Sequence, residues 1–527
     1  MAEPVTPAPD DVDVDPVITE TEDVDAPLAA AGTGRARRAA LVGLRFITGI
    51  VGLAAATATI AAVGLTPFPD VGPTPPSVTI TPAPADQVRA CAGSVLRLGT
   101  EDGQNADVPH AIGVPSVRVG SVAATVDRSP LAKTDAGTGG TSSAPEVLRV
   151  TPSDGAAVAG AQSQVTDAID FFGFAAAGCA EPSSSIWLAG GATTVGRTTL
   201  ITLTNPTAVA ATVKLTILGE AGAISAPGMN GIDVPPGTQR VLSLAGFAPG
   251  LVSPVVHVEA RGGQVVAGLQ QSIVRGLDAV GVDLIGAAAD PSTELTIPGV
   301  RVLDALAVNR AVSLTDWDDV VPVIRIAVPG TDKAKVQVSV IPADPAVDGT
   351  SFVTEIDGGT VDELALDSGA DIDTGIALAD GLYTVKIDSD QPVVAGVRVS
   401  TAIDAGDSTD DAPAQAPPSD LAWYAPAPTL TGDTLVTIAP GPDPQLAMVN
   451  PTEAEVQVVF AAQGGTDITL VIPAGGSAAA PVVAGTTYLL QGAAGLHAAV
   501  SYAGDARLAA YTLSSPRPVS GPITIRP

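Results

Sequence analysis

One stretch of this chain occurs twice. LTNPTAVAATVKLTILG, from Leu203 to Gly219, returns as MVNPTEAEVQVVFAAQG, from Met448 to Gly464. Each copy runs on into a proline turn, VPPGTQRVLSL from Val234 to Leu244 and IPAGGSAAAPV from Ile472 to Val482. Each then closes in a hairpin, GGQVVAGLQQS from Gly262 to Ser272 and GDARLAAYTLS from Gly504 to Ser514. A looser copy lies between them, IRIAVPGTDKAKVQVSV from Ile324 to Val340 leading to SDQPVVAGVRVS from Ser389 to Ser400. Internal repetition of this kind predicts similar structural units in tandem.

The runs inside the repeat are strand-like. TLITLT (Thr199 to Thr204), ATVKLTIL (Ala211 to Leu218), KVQVSVI (Lys335 to Ile341), YTVKI (Tyr383 to Ile387) and VQVVF (Val456 to Phe460) alternate or are continuously β-branched. Gly, Pro, Asn and Asp interrupt them about every eight to fifteen residues, the spacing of a sandwich series. The expected fold is all-β, with tandem immunoglobulin-like β-sandwich units after a single N-terminal transmembrane helix. One helix is expected in the outer part, Ser163 to Ala177, where Val165, Ile169 and Phe172 lie near helical spacing. Asn-Pro-Thr at Asn205 and Asn450 is a turn signal, because proline at the middle position excludes N-glycosylation.

Phe46 to Leu65 is an uncharged, apolar run behind Arg35, Arg37, Arg38 and Arg45. Twenty helical residues reach about 30 Å, one hydrocarbon core. Positive charge resists translocation, so the arginines predict a cytoplasmic N-terminus and an outer bulk. The alternative is secretion after cleavage near Ala58, since Ala56-Thr57-Ala58 is an A-x-A site. Arg37-Arg38 by itself does not make a twin-arginine signal.

These signals divide the chain. Residues 1–38 read as a disordered acidic cytoplasmic tail with its basic flank, 39–65 as the transmembrane helix or signal anchor, and 66–87 as a Pro/Thr-rich spacer. A disulfide-closed β domain is expected over 88–182. β-Sandwich repeats follow over 183–290, 291–403 and 421–527, with an acidic Pro-rich linker at 404–420. The chain has only two cysteines, Cys91 and Cys179, both beyond the apolar run. In an oxidising compartment they predict one disulfide.

A net charge of -31 repels polyanions and excludes nucleic acid as a partner. Aromatics make up only 3%, so the cores rest on Val, Ile, Leu and Ala. Trp187, Trp317 and Trp423 each precede the first strong strands of one repeat, which suits packing anchors; the second reading makes them a ligand face for sugars. His110, His257 and His497 are scattered, and no H-E-x-x-H, G-x-S-x-G, S-x-x-K, P-loop or Rossmann pattern is present. Asp316, Asp318 and Asp319 around Trp317 are the candidates for a two-carboxylate glycosidase. Asp367, Asp371 and Asp373, or Asp404, Asp407, Asp410 and Asp411, are the candidates for Ca2+. Solvated acidic loops are the simpler reading of both sets, and neither a cofactor nor an enzyme is expected.

The basic-flanked apolar segment, the cysteine soon after it, CAEPSSSIWLAGGATTVGR (Cys179 to Arg197), and then LTNPT and VPPG resemble a family of large actinobacterial membrane-anchored or secreted proteins of unknown function. The resemblance covers Cys91 to Ser400 and is most distinctive from Cys179 to Trp187. Members are often encoded near a membrane glycosyltransferase, which implies a link to envelope glycan assembly. The expected function is therefore a non-enzymatic cell-envelope scaffold or binding protein, accessory to surface polysaccharide assembly, with a glycan or glycosyltransferase partner. A lectin-like glycan-binding module and a carbohydrate-active hydrolase are the alternatives.

Overall fold

Apolar side chains at alternate positions of an extended strand bury one face and leave the other in water. The Ala211–Gly219 strand does this, with Val213, Leu215 and Ile217 buried and Thr212 and Lys214 exposed. The Ala334–Pro342 strand repeats it with Val336, Val338 and Val340 against Lys335 and Gln337. The computed structural model describes residues 78–80, 86–99, 104–105, 108–133, 144–151, 156–168, 170–312, 318–366, 378–403, 419–516 and 523–525. Two units divide the chain, Met1–Val78 with Thr524–Pro527, and Thr79–Ile523. In the first, the described residues 78, 524 and 525 are extended.

The second unit is all-β, with one short α-helix, Ala305–Ala311, among the described residues. Near its start, Gln87–Ala90, Glu146–Val150 and Asp127–Pro130 form one sheet, and Ser116–Val122, Ala157–Ala168 and Phe171–Gly178 another. Two larger sheets come next. Ser185–Ala189, Val255–Gly262 and Ala211–Gly219 form one, and Asp278–Ile285, Val266–Arg275, Arg197–Asn205 and Thr238–Ser243 the other. Ile201, Leu203, Val213 and Val258, all 0% exposed, belong to the core they share.

Farther along, the Gly381–Ala402 strand is 22 residues long. Its first half pairs with Ser292–Val302 and Ala334–Pro342, and its second half with Val323–Ala327 and Ser419–Tyr424. The last two sheets are Thr434–Thr437, Thr487–Gln491, Val456–Ala462, Ile468–Ile472, and Ser477–Pro481, Gln445–Val449, His497–Gly504, Arg507–Thr512. Ser419–Tyr424, which the sequence division splits between linker and third repeat, thus lies in the sheet of the preceding strands.

The expected helix over Ser163 to Ala177 is not formed. That stretch is a hairpin, Ala157–Ala168 against Phe171–Gly178, paired from Phe171↔Ala168 to Gly178↔Ala161. The extended backbone sends Gln162 and Gln164 inward, where their Oε1 atoms accept from Gly93 N and Val95 N at 3.0 Å each. Val165, expected on a buried helical face, is 57% exposed. Val165 and Phe172 lie on different strands of the hairpin, so their seven-residue spacing reflects the turn between them and not one helical face.

Cys91 and Cys179 form the expected disulfide. It closes a separation of 88 residues beside the reciprocal Ala90–Ala180 backbone pair, with bonds of 2.8 and 3.0 Å. Among the described residues no helix is long and apolar enough to cross a membrane, and Phe46 to Leu65 with its arginines lies outside them.

Both Asn-Pro-Thr copies make the same buried turn. Asn205 donates Nδ2 to Val209 O at 2.8 Å and Val234 O at 2.9 Å, and its Oδ1 accepts from Thr207 N and Oγ1 at 3.0 and 2.7 Å. Asn450 donates to Ala454 O at 2.7 Å and Pro473 O at 3.1 Å, and accepts from Thr452 N and Oγ1 at 3.0 and 2.7 Å. Each asparagine is 0% exposed. The side chain supplies the turn's bonding where a β-bulge or Gly would otherwise be needed. Asn450→Ala is expected to lower the free energy of urea unfolding by about 2 to 3 kcal/mol, because it strands buried polar groups.

Candidate functional site

The Ser419–Tyr424 strand, SDLAWY, is buried at every position, Asp420 included. Its carboxylate accepts backbone N–H groups from three other strands: Phe174 at 2.8 Å and Leu508 at 3.2 Å on Oδ2, and Val282 at 3.1 Å on Oδ1. Those donors sit on Phe171–Gly178, Asp278–Ile285 and Arg507–Thr512, each the last strand of a different sheet. Edge strands carry a row of unpaired backbone groups. Where these edges converge, Asp420 stands in for the missing neighbour.

Two glycines make room for it. Gly173 has φ +137°, and a Cβ there would lie 2.5 Å from Asp420 Oδ1. Gly281, at φ +142°, would meet Leu421 Cδ2 at 2.7 Å. Burial pushes the Asp420 carboxyl well above the ordinary range, opposed by the N–H groups of Phe174, Leu508, Leu421 and Val282. Asp283, also 0% exposed, accepts from Trp423 N at 2.7 Å and Leu284 N at 2.8 Å. Burial carries its pKa up to about 8, against those two N–H groups.

Trp423 leads to a second buried cluster. Its Nε1 donates to Gln271 Oε1 at 2.7 Å, and the guanidinium carbons of Arg325 and Arg398 lie 4.5 and 5.8 Å from its ring. Arg325, 0% exposed, donates Nε and Nη2 to Glu363 Oε2 at 2.9 and 2.6 Å, Nη1 to Gly191 O and Pro254 O at 2.9 Å each, and Nη2 to Val252 O at 3.1 Å. All the donor positions of the fork are therefore used. Arg398 pairs with Glu363 Oε1 at 3.7 Å and donates to Asp319 O at 2.6 Å. Asp319 in turn binds Arg197 at 2.8 Å and Arg275 at 2.5 Å.

Burial alone would raise the Glu363 carboxyl, but Arg325 and Arg398 outweigh it and hold it below its ordinary value. Burial would likewise raise the Asp319 carboxyl, and Arg398, Arg275 and Arg197 together overcome it and hold it below its ordinary value. These carboxylates are anchored ionised in a charge-paired core.

Parts of the same edges line a cavity of about 410 Å3. Gly178, Leu284, Ala425, Ala510 and Thr512 line it, with Glu181 and Asp290 among its charged residues. Ser185 also lines it, and its Oγ lies 2.9 Å from His257 Nε2. The His257 ring stacks on Trp187, with centroids 4.1 Å apart. Burial lowers the His257 pKa, against Glu259 and Asp290, so the ring is neutral at pH 7. Among the described residues no carboxylate bonds its Nδ1.

Of the tryptophans expected as anchors or as a ligand face, Trp187 and Trp423 are 8% and 3% exposed, packed into cores. Trp317 lies outside the described residues, as do Asp316, the side chain of Asp318 and both calcium candidates, Asp367 to Asp373 and Asp404 to Asp411. Among the described residues no group of three or more His, Cys, Asp or Glu side chains converges as metal ligands do. His497 is half-buried, its Nδ1 2.7 Å from Ala427 O. Sequence reading passed over Asp283, Arg325, Glu363, Arg398 and Asp420. The signal was there: Arg325 in VVPVIRIAV, Arg398 in VVAGVRVS and Asp283 in VGVDLIG are lone charges inside apolar strands.

Sheets joined through buried charges and edge-capping carboxylates define a multi-sheet all-β protein. The model of a family described as a family of unknown function, DUF5719, matches residues 116–488, and the chain belongs to that family. The match runs over the arginine cluster and Asp420, and stops short of Leu508. No curated protein matches the chain.

Glu363→Ala is expected to cost about 3 to 5 kcal/mol of unfolding free energy, since it leaves Arg325 buried without its counter-charge. The double variant Glu363→Ala/Arg325→Met is expected to lose less than the single one, measured by urea denaturation. A pKa raised on folding, as at Asp283, stabilises fully below the ordinary carboxylate value near 4 and loses that contribution as pH rises toward 8. Glu363 and Asp319, lowered on folding, act oppositely and lose theirs below that value. The urea midpoint is therefore expected to fall between pH 5 and pH 8.5, and Asp283→Asn to flatten that slope.

Proposed function

We propose that this chain is a non-enzymatic cell-envelope scaffold, held by a single membrane crossing at Phe46 to Leu65, whose outer part is a rigid tandem of immunoglobulin-like sandwiches. The observation that carries the reading is the lock at Asp420. One carboxylate joins strands from four sheets, which suits a spacer that must hold its shape. Arg35, Arg37, Arg38 and Arg45 ahead of the apolar run support a cytoplasmic N-terminus, and the Cys91–Cys179 disulfide suits an oxidising exterior. Secretion after cleavage near Ala58 would leave the same outer part.

Burial of Trp187 and Trp423 favours the scaffold over a lectin-like face, which needs an open aromatic platform. An accessory part in surface polysaccharide assembly follows from the resemblance in the sequence, with a membrane glycosyltransferase or an envelope glycan as partner.

Protease added to intact cells is expected to remove the part beyond residue 78 and spare the N-terminal tail. Deleting the gene is expected to reduce surface polysaccharide or disperse the glycosyltransferase. Protection of the whole chain from protease would overturn the topology, and unchanged surface glycan would overturn the accessory role.

A further inference from the structure

The junction cavity is walled by strand edges, and this gives it a definite chemistry. In an antiparallel pair, both backbone groups of a residue point either to the partner or away from it, in strict alternation. Leu508 gives its N–H to Asp420, so it points away from its partner Ala503 in the His497–Gly504 strand. Ala510 and Thr512, two and four residues on, point the same way. On the Phe171–Gly178 strand, Phe174 gives its N–H to Asp420, while Cys179 N bonds back to Gly160 O at 2.8 Å. Gly178 therefore faces outward with Phe174. Val282 fixes the direction of Leu284 in the same manner, opposite Gln270.

Gly178, Leu284, Ala510 and Thr512 all line the cavity. Asp420 serves these edges at one end, and the Ala90–Ala180 pair closes the Gly178 edge at the other. Between those points Gly178, Ala510 and Thr512 turn backbone groups toward the cavity, while the amide of Leu284 is already given to Asp283. We infer that the cavity is a binding site for an extended polypeptide segment, whose backbone bonds the outward groups of Gly178, Ala510 and Thr512.

Main-chain bonding of this kind recognises any extended backbone, and the pockets between supply preference. Exposed Asp290 on the lining and the chain's net charge of -31 select a segment carrying Lys or Arg. A volume of about 410 Å3 is within the usual range of ligand sites. The inference goes beyond the scaffold reading and requires neither a membrane anchor nor a glycan partner.

Residue-resolved amide exchange of the whole chain tests it, with octapeptides randomised at alternate positions around a fixed lysine as the probe. In the free protein, Ala510 and Thr512 are expected to exchange at least tenfold faster than Tyr511, which pairs inward. Saturating peptide is expected to slow Gly178, Ala510 and Thr512 at least tenfold, and peptides N-methylated at alternate amides are expected to leave them unchanged. Asp290→Lys, a surface change, is expected to weaken peptide binding at least threefold. Three results would each overturn the inference: Ala510 and Thr512 already protected in the free protein, no slowing by the peptides, or equal slowing by the N-methylated ones. Protection by chitohexaose in place of peptide would mark the cavity as a glycan site and overturn it as well.

Discussion

A carboxylate removed from water among backbone N–H groups is what this architecture rests on. Strand edges are normally buried against another strand, covered by a loop or protected by charge. Here the edges Phe171–Gly178, Asp278–Ile285 and Arg507–Thr512 converge, and Asp420 accepts one N–H from each of them. Asparagine would offer one acceptor and turn its amide hydrogens toward donors. Gly173 and Gly281 are tied to the same place, because any Cβ would occupy the space the carboxylate and its neighbour Leu421 need.

The arginine cluster solves a different problem with the same logic. Arg325 and Arg398 stand on neighbouring strands, under the Trp423 ring, where desolvation would be prohibitive for lone cations. Glu363 and Asp319 neutralise them, and the carbonyls of Gly191, Pro254 and Val252 take the remaining hydrogens of Arg325. Buried ion pairs contribute little net stability compared with a well-packed apolar replacement, but they penalise any arrangement that separates the partners. The cluster thus specifies how the sheets of residues 185–285 sit against those of residues 292–424.

Much of the strand content was legible because alternation is a local signal. ATVKLTIL and KVQVSVI declare their buried faces residue by residue, and the Asn-Pro-Thr copies announce two equivalent turns. The Cys91–Cys179 bond could be read from cysteine count and position. The hairpin at Ala157–Gly178 could not, since its polar inward residues Gln162 and Gln164 serve backbone groups about seventy residues earlier in the chain, and that partnership has no local trace. The junction was hidden for the same reason. Asp420 looks like the end of an acidic linker, and its role depends on three donors drawn from residues 174, 282 and 508.

The 22-residue strand Gly381–Ala402 carries a thermodynamic corollary. It is a full member of two hydrogen-bonded ladders, and the second ladder also holds Ser419–Tyr424. Melting either ladder withdraws the template from the other and uncovers Asp420 and Trp423 together. The two ladders of residues 292–424 are thereby coupled through one strand, although the repeating sequence describes segments that look separable.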